Sequence, residues 1–171
     1  KLILAFLKPG QDIEKIINGN IKAKDSRVSH ISVPTTAGTG SESTHFAVVY
    51  SNKIKYSIAA DFLVPKIVVL DGMLILSNNS MQKACNGLDA LAQAIESPWA
   101  CGSTSESKSF SRKAIPILFR KLPNIVSGEA EKEEFQDFIV ASNLAGKAIN
   151  ISKTTSPHAF SYSFTSKYSI P

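Results

Sequence analysis

The chain has 171 residues, 43% of them apolar and 19% charged, and its mean hydropathy is +0.01. Those proportions suit one ordinary domain, or pieces of two, around a buried core, and they exclude a disordered chain. The formal net charge of +5 invites a polyanion, but the basic residues are scattered along the chain. The densest pairs, Arg112-Lys113 and Arg120-Lys121, fall on one candidate helix and read as a solvated face rather than a phosphate track. No nucleic-acid partner is expected, and a mild positive bias also suits a small anionic substrate. Apolar runs such as 66–70 are far too short for a bilayer span, so no membrane partner is expected. No charged leader precedes a signal-type apolar stretch. Cys85 and Cys101 form neither a disulfide framework nor a metal-type pair, which points to a reducing, cytoplasmic setting. The sequence opens on Lys1 within what reads as the end of a helix and closes at Pro171 without a tail composition. A fragment of a longer protein is therefore expected.

Short strands and loops fill the first half. Residues 2–7 are apolar and end at Lys8-Pro9-Gly10, a helix-stop signal. Ile13, Ile16 and Ile17 recur at helical spacing over 12–17. Residues 28–33 alternate apolar and polar and stop at Pro34, as a strand entering a loop does. The loop that follows, 35–43, holds only small or hydroxyl residues apart from Glu42. Residues 46–50 and 54–58 flank Ser51-Asn52-Lys53 as a β-hairpin, and 67–70, ending at Asp71, read as a buried strand.

From Ser80 the texture turns helical, which sets a boundary near 76–80, with residues 1–78 in one part and 79–171 in the other. Residues 81–97 form one helix, with Leu88, Leu91, Ala92 and Ile95 as its apolar stripe and Pro98 as its stop. Ser103-Thr104-Ser105-Glu106 reads as a capping box opening a second helix, which Pro116 should kink. Acidic residues between Glu129 and Glu134 suit the positive end of a third, leading through Phe135, Phe138 and Ile139 to about Ile151. Ser156-Pro157 opens a last helix carrying His158 and Tyr162.

Three constellations bear chemistry. In the hydroxyl-glycine loop, Gly38 and Gly40 permit close backbone approach, while amides and the hydroxyls of Thr35, Thr36, Thr39 and Ser41 offer donors to phosphate oxygens. The pattern is neither GxGxxG nor a P-loop, and a plain surface loop is the alternative. Asp89, Gln93 and Glu96, at i, i+4 and i+7, share one helix face. A carboxylate and an amide oxygen on adjacent turns can ligate a divalent cation; a solvated polar face is the alternative. His158 follows Lys153-Thr154-Thr155 at a helix start, where an ammonium and helix amides make an anion site. His30 and His45 read as structural or supporting residues.

Taken together, Pro34-Thr35-Thr36-Ala37-Gly38-Thr39-Gly40-Ser41-Glu42, then Asp71, then Gly87-Leu88-Asp89-Ala90-Leu91-Ala92-Gln93-Ala94-Ile95-Glu96, and finally His158 resemble the iron-containing alcohol dehydrogenase family of the dehydroquinate synthase-like superfamily. The resemblance spans essentially the whole chain. It implies an α/β amino-terminal nucleotide-binding part and an all-α carboxy-terminal metal-binding part, both truncated, with a metal in the cleft between them. It also implies that Thr35, Thr36, Thr39, Phe46 and Lys55, with Gly38 and Gly40, contact NAD(P)H, and that Asp89 and His158 ligate a divalent metal. The family usually has histidine where this chain has Gln93, so the second ligand is an amide oxygen or is absent. A harder ligand of this kind shifts preference from zinc towards iron, manganese or magnesium. A second family histidine is replaced by Tyr162, and a last ligand would fall immediately after Pro171. The family's glycine-rich diphosphate turn would precede Lys1.

Within the family the resemblance is to the phosphonoacetaldehyde reductase branch, through Gln93 and the stretches 94–99, 103–107 and 150–159. It implies metal-dependent reduction of phosphonoacetaldehyde to 2-hydroxyethylphosphonate by NAD(P)H, with Lys153 and Thr154 holding the anionic group. Water, a cofactor hydroxyl or Tyr162 would relay the proton, and a homodimer is admitted. The alternatives are a family member acting on an uncharged alcohol or aldehyde, a dehydroquinate synthase-type lyase, and a non-catalytic paralogue with a degenerate metal site.

Overall fold

The structure is a computed structural model that describes residues 1–51, 54–168 and 170. Its amino-terminal part holds two short helices, α1 (Leu2–Phe6) and α2 (Ile13–Ile17), and four strands, β1 (Ile31–Ser32), β2 (Phe46–Ser51), β3 (Ile54–Ala59) and β4 (Ile67–Val68). Its carboxy-terminal part is helical: α3 (Met73–Leu76), α4 (Ser80–Glu96), α5 (Ser105–Ser127), α6 (Lys132–Ser152) and α7 (Ser156–Tyr168). That division into α/β and all-helical parts is the one the family resemblance implies.

Each part has its own apolar core. The Asp12 side chain opens α2 by accepting the Lys15 N–H at 3.0 Å. β2 and β3 pair antiparallel with Ala47 directly opposite Ile58, and this pair turns inward onto Leu4, Ala5, Ile16 and Leu63. The hairpin residues Asn52 and Lys53 lie outside the described residues. In the helical part, Ala90 and Ala94 of α4, Leu118 and Ile125 of α5, and Phe135, Phe138 and Ile139 of α6 share one cluster with Ile75. Small residues allow that closeness. A Cβ on Gly87 would stand 2.3 Å from Leu122 Cδ1 and 2.9 Å from Phe138 Cζ.

Three sequence expectations change on folding. β1 and β4 pair in parallel over two residues each, rather than extending over 28–33 and 67–70, and Ile67 is 55% exposed. Parallel strands are buried inside wide sheets, and a two-stranded pair has no layer to cover it. The expected stripe of α4 is split: Leu91 packs against the helical core, but Leu88 is 56% and Ile95 37% exposed, while Gln93 is 3% and Glu96 1%. α5 and α6 pack on the small residues Gly87, Ala90 and Ala94, so the polar face turns towards the rest of the chain instead of solvent. The capping box of α5 lies one residue later, with Ser107 N–H donating to Thr104 Oγ1 (3.1 Å) and Thr104 N–H to Ser107 Oγ (2.9 Å). Ser107 is buried and close enough to fold back, whereas Glu106 is exposed. α5 runs from Ser105 to Ser127 with Pro116 and Pro123 both inside it.

The hydroxyl-glycine loop belongs to the first half in sequence and to the second half in packing. Ala37 joins the helical core. A Cβ on Gly38 would lie 2.9 Å from the Cα of Asn86 on α4, and Gly40, at φ +60, sits against Gly146 of α6. Asn143, Gly146 and Asn150 are spaced i, i+3 and i+7, so they form one face of α6. Asn143 Nδ2 donates to Glu42 Oε1 (3.0 Å) and Ser43 Oγ (2.5 Å), and Asn150 Oδ1 accepts the His45 backbone N–H (2.8 Å). The helix thus grips the loop at both ends of a glycine contact. A Cβ at Gly146 would stand 2.7 Å from Gly40 Cα, a backbone atom that cannot step aside. Gly146→Ala should therefore cost about 1–3 kcal/mol of stability, measured as a lowered urea midpoint. An unchanged midpoint would show that the loop is not seated on α6.

Candidate active site

A cleft of about 1010 Å³ runs between the hairpin, the loop and the last two helices. Lys1, Thr39, Ser41, Thr44, Phe46 and Lys55 line it from the amino-terminal part; Asp89 and Gln93 come from α4; and Lys153, Thr154, Thr155, His158 and Tyr162 come from the junction of α6 with α7 and from α7 itself. The order of these elements explains the convergence. Asp89, Gln93 and Glu96 lie on the inward face of α4, and α7 begins directly after the α6 C-terminus at Lys153, which adopts φ +64. A positive φ is uncommon outside glycine, and here it forms the sharp turn from α6 into α7.

His158 is the centre of the polar cluster. Its Nε2 lies 3.0 Å from Asp89 Oδ1 and its Nδ1 lies 2.5 Å from Glu96 Oε1. Glu96 Oε2 accepts the Thr155 backbone N–H (2.6 Å) and hydroxyl (2.9 Å), and the Thr155 Oγ1 accepts the Trp99 indole N–H (3.0 Å). Burial works against a charged imidazole, but the hydrogen bonds and charges of Asp89 and Glu96 outweigh it and raise the His158 pKa.

The cluster meets the requirements of a cation. With Nδ1–H directed at Glu96, a neutral His158 ring turns a lone pair on Nε2 towards an oxygen of Asp89. Two acceptors at 3.0 Å repel unless a proton or a metal ion lies between them. Imidazole nitrogen and carboxylate oxygen are ordinary divalent-metal donors, and a carboxyl group on the second ring nitrogen is the usual support for such a histidine. Gln93, four residues after Asp89, carries a buried Oε1 with no hydrogen-bond partner among the described residues, an oxygen of the hard type. Asp89 and His158 thus offer two converging donors that suit a divalent ion, with Gln93 as the further oxygen on the same helix face; among the described residues no group of three or more histidine, cysteine, aspartate or glutamate side chains is placed to hold one.

Of the other residues singled out in the sequence, Thr39, Phe46 and Lys55 line the cleft, whereas Thr35, Thr36, Gly38 and Gly40 are not among its lining residues. The Thr35 carbonyl accepts from Asn78 Nδ2 at 3.0 Å, and the two glycines are occupied by the helix contacts described above. Asp71 Oδ1 accepts the Met73 N–H (2.9 Å) at the start of α3, and His45 Nδ1 lies 2.6 Å from Asn150 Oδ1. The Lys55 ammonium sits 3.4 Å above the Tyr162 ring centroid, joining β3 to α7. Burial pushes its pKa down, and the Asp89 charge offsets only part of that effect.

Sequence reasoning missed two groups. Glu96 was grouped with Asp89 and Gln93 but given no contact to His158; its position seven residues after Asp89 was the available signal. Lys1 gave no signal at all. Its ammonium donates to the Thr44 and Phe46 carbonyls, and burial lowers its pKa to about 8 against the opposing charge of Glu42.

Comparison with known proteins bears on the same two halves. Residues 1–72 match the family model described as iron-containing alcohol dehydrogenase, and residues 83–171 match the model for the C-terminal part of the Fe-containing alcohol dehydrogenase family. Phosphonoacetaldehyde reductase of Streptomyces viridochromogenes is 31% identical over 137 residues, 79% of this chain and 35% of that protein. Long-chain-alcohol dehydrogenase 1 of Geobacillus thermodenitrificans is 29% identical over 140 residues, 82% of this chain and 35% of that protein. The crystal structure of sulfoacetaldehyde reductase from Bifidobacterium kashiwanohense, in complex with NAD+, matches with a TM-score of 0.92 at 31% identity, covering 98% of this chain and 45% of that one. The chain therefore spans less than half the length of each protein it is compared with here. It belongs to the iron-containing alcohol dehydrogenase family.

Proposed function

We propose that the protein carrying this chain is a metal-dependent NAD(P)H aldehyde reductase that converts phosphonoacetaldehyde to 2-hydroxyethylphosphonate. The observation that carries the reading is the meeting of Asp89 Oδ1 and His158 Nε2 at 3.0 Å in a cleft also lined by Lys153 and Thr154. Asp89, Gln93 and His158 would hold the ion, which when bound supplies Lewis acidity towards a carbonyl oxygen while the nicotinamide supplies hydride.

The chain's own residues orient the reactants and manage the proton. Thr39, Phe46 and Lys55 form the wall for the dinucleotide, with Thr35, Thr36, Gly38 and Gly40 completing the loop beside it. Lys153 and Thr154 take the anionic group, for which an ammonium and a hydroxyl are suitable donors. Two relatives, a phosphonoacetaldehyde reductase and a sulfoacetaldehyde reductase, are named for anionic aldehydes. Tyr162 keeps a proton on its phenol oxygen, because burial raises its pKa more than its hydrogen bond with Thr154 lowers it. That phenol is the proton carrier for the oxygen that becomes the alcohol.

Replacing Lys153 by alanine should raise KM for phosphonoacetaldehyde by roughly 10- to 100-fold, the range of one lost charge-assisted hydrogen bond. KM for acetaldehyde should change by less than about twofold. Equal losses for the two substrates would favour an uncharged substrate, as the long-chain relative's name suggests for that protein. Metal analysis of the purified full-length protein should find iron, manganese or magnesium that a chelator removes readily. Stoichiometric zinc that survives dialysis against a chelator would overturn the assignment of Gln93 as a ligand, and loss of all metal-dependent NAD(P)H oxidation would favour a non-catalytic paralogue.

A further inference from the structure

We propose that Glu96 is a positioning residue that decides which ring nitrogen of His158 is free to ligate, and that Trp99 and Thr155 fix the direction of the hydrogen bonds that make this choice. The inference rests on the metal-site reading above. It begins at the indole, which can only donate. Trp99 Nε1 donates to Thr155 Oγ1 at 3.0 Å, so the single hydroxyl proton of Thr155 is left for its other neighbour, Glu96 Oε2, at 2.9 Å. The Thr155 backbone N–H, also a donor only, reaches the same oxygen at 2.6 Å. Two donors thus hold Oε2, and Oε1 is left to accept the proton on His158 Nδ1 at 2.5 Å. Glu96 is 1% exposed, so water does not compete for these oxygens. A His158 ring that has given up the proton between Nε2 and Asp89 therefore keeps its other proton on Nδ1, with the Nε2 lone pair free to ligate.

An isosteric amide reverses the logic. In Glu96→Gln, the two Thr155 donors retain the amide's carbonyl at the Oε2 position and turn its NH2 group towards Nδ1. Nδ1 must then accept, the proton moves to Nε2, and Nε2 donates to Asp89 instead of offering a lone pair. The polar cluster stays satisfied while its ability to ligate is lost, a separation that a merely structural role does not produce.

The test uses the full-length protein with Mn2+ alone as probe, free ion being counted by electron paramagnetic resonance. Long-range proton–nitrogen spectra with diamagnetic Mg2+ in place of Mn2+ report the position of the ring proton. Wild type should bind Mn2+, and Glu96→Gln should bind about 10- to 100-fold more weakly, the range for loss of a supporting partner. The ring proton should lie on Nδ1 in wild type and on Nε2 in the variant. If wild type binds no Mn2+, the metal-site reading itself fails. If wild type binds and a folded Glu96→Gln binds equally well with its proton still on Nδ1, that reading stands and the role of Glu96 is overturned. Should Glu96→Gln not fold, Thr155→Val removes the hydroxyl and keeps the backbone donor. A loss of about 2- to 10-fold in Mn2+ affinity supports the proposal, and unchanged affinity overturns it.

Discussion

The arrangement depends on one imidazole held between two carboxyl groups of the same helix. Asp89 and Glu96 are seven residues apart on α4, two turns along one face, and His158 from α7 meets both. α7 buries none of its described side chains, and Phe160 and Phe164 are exposed, so apolar burial does little to hold it. Its attachments are polar: His158 to Asp89 and Glu96, the preceding Thr155 to Glu96, and Tyr162 under the Lys55 ammonium. Clusters of this kind add little net stability, because desolvating the charges offsets their attraction, but removing one member leaves another buried and unpaired. The contacts that locate α7 are the same contacts that compose the site.

The second constraint is the seat of the loop. Its amino-acid chemistry, mostly hydroxyls and glycines, suggests freedom, yet Ala37, Gly38 and Gly40 are buried against helices and Glu42 is tied to Asn143. Glycine serves here to bring two backbones together. The hydroxyl of Thr39, exposed between two buried glycines, is therefore displayed from a rigid support rather than a mobile one.

Much of this was legible in the sequence where the signal is local. A helix forms within 12–17, residues 46–50 and 54–58 pair as a hairpin, and Ser156-Pro157 starts the last helix. Phe135, Phe138 and Ile139 are buried as their spacing requires. The failures share a cause. Leu88 and Ile95 look like core by hydropathy alone, but α4 is set against its neighbours through glycine and alanine, whose small size makes them weak in any hydropathy pattern and strong in packing. The polar face then became the inner face, and that is why Glu96 was read without its histidine. Alternation over 28–33 and the apolar run 67–70 mark where strands could form, while pairing partners determine how much of each does.

Trp99 has an optical consequence. It is the sole tryptophan in the chain and is 61% exposed, yet its ring nitrogen is bound to the hydroxyl that touches Glu96. Loss of that bond should change its emission, so the chain carries a built-in dye one hydroxyl removed from the buried acid. Light absorbed at the surface thereby reports events inside the cleft without any label.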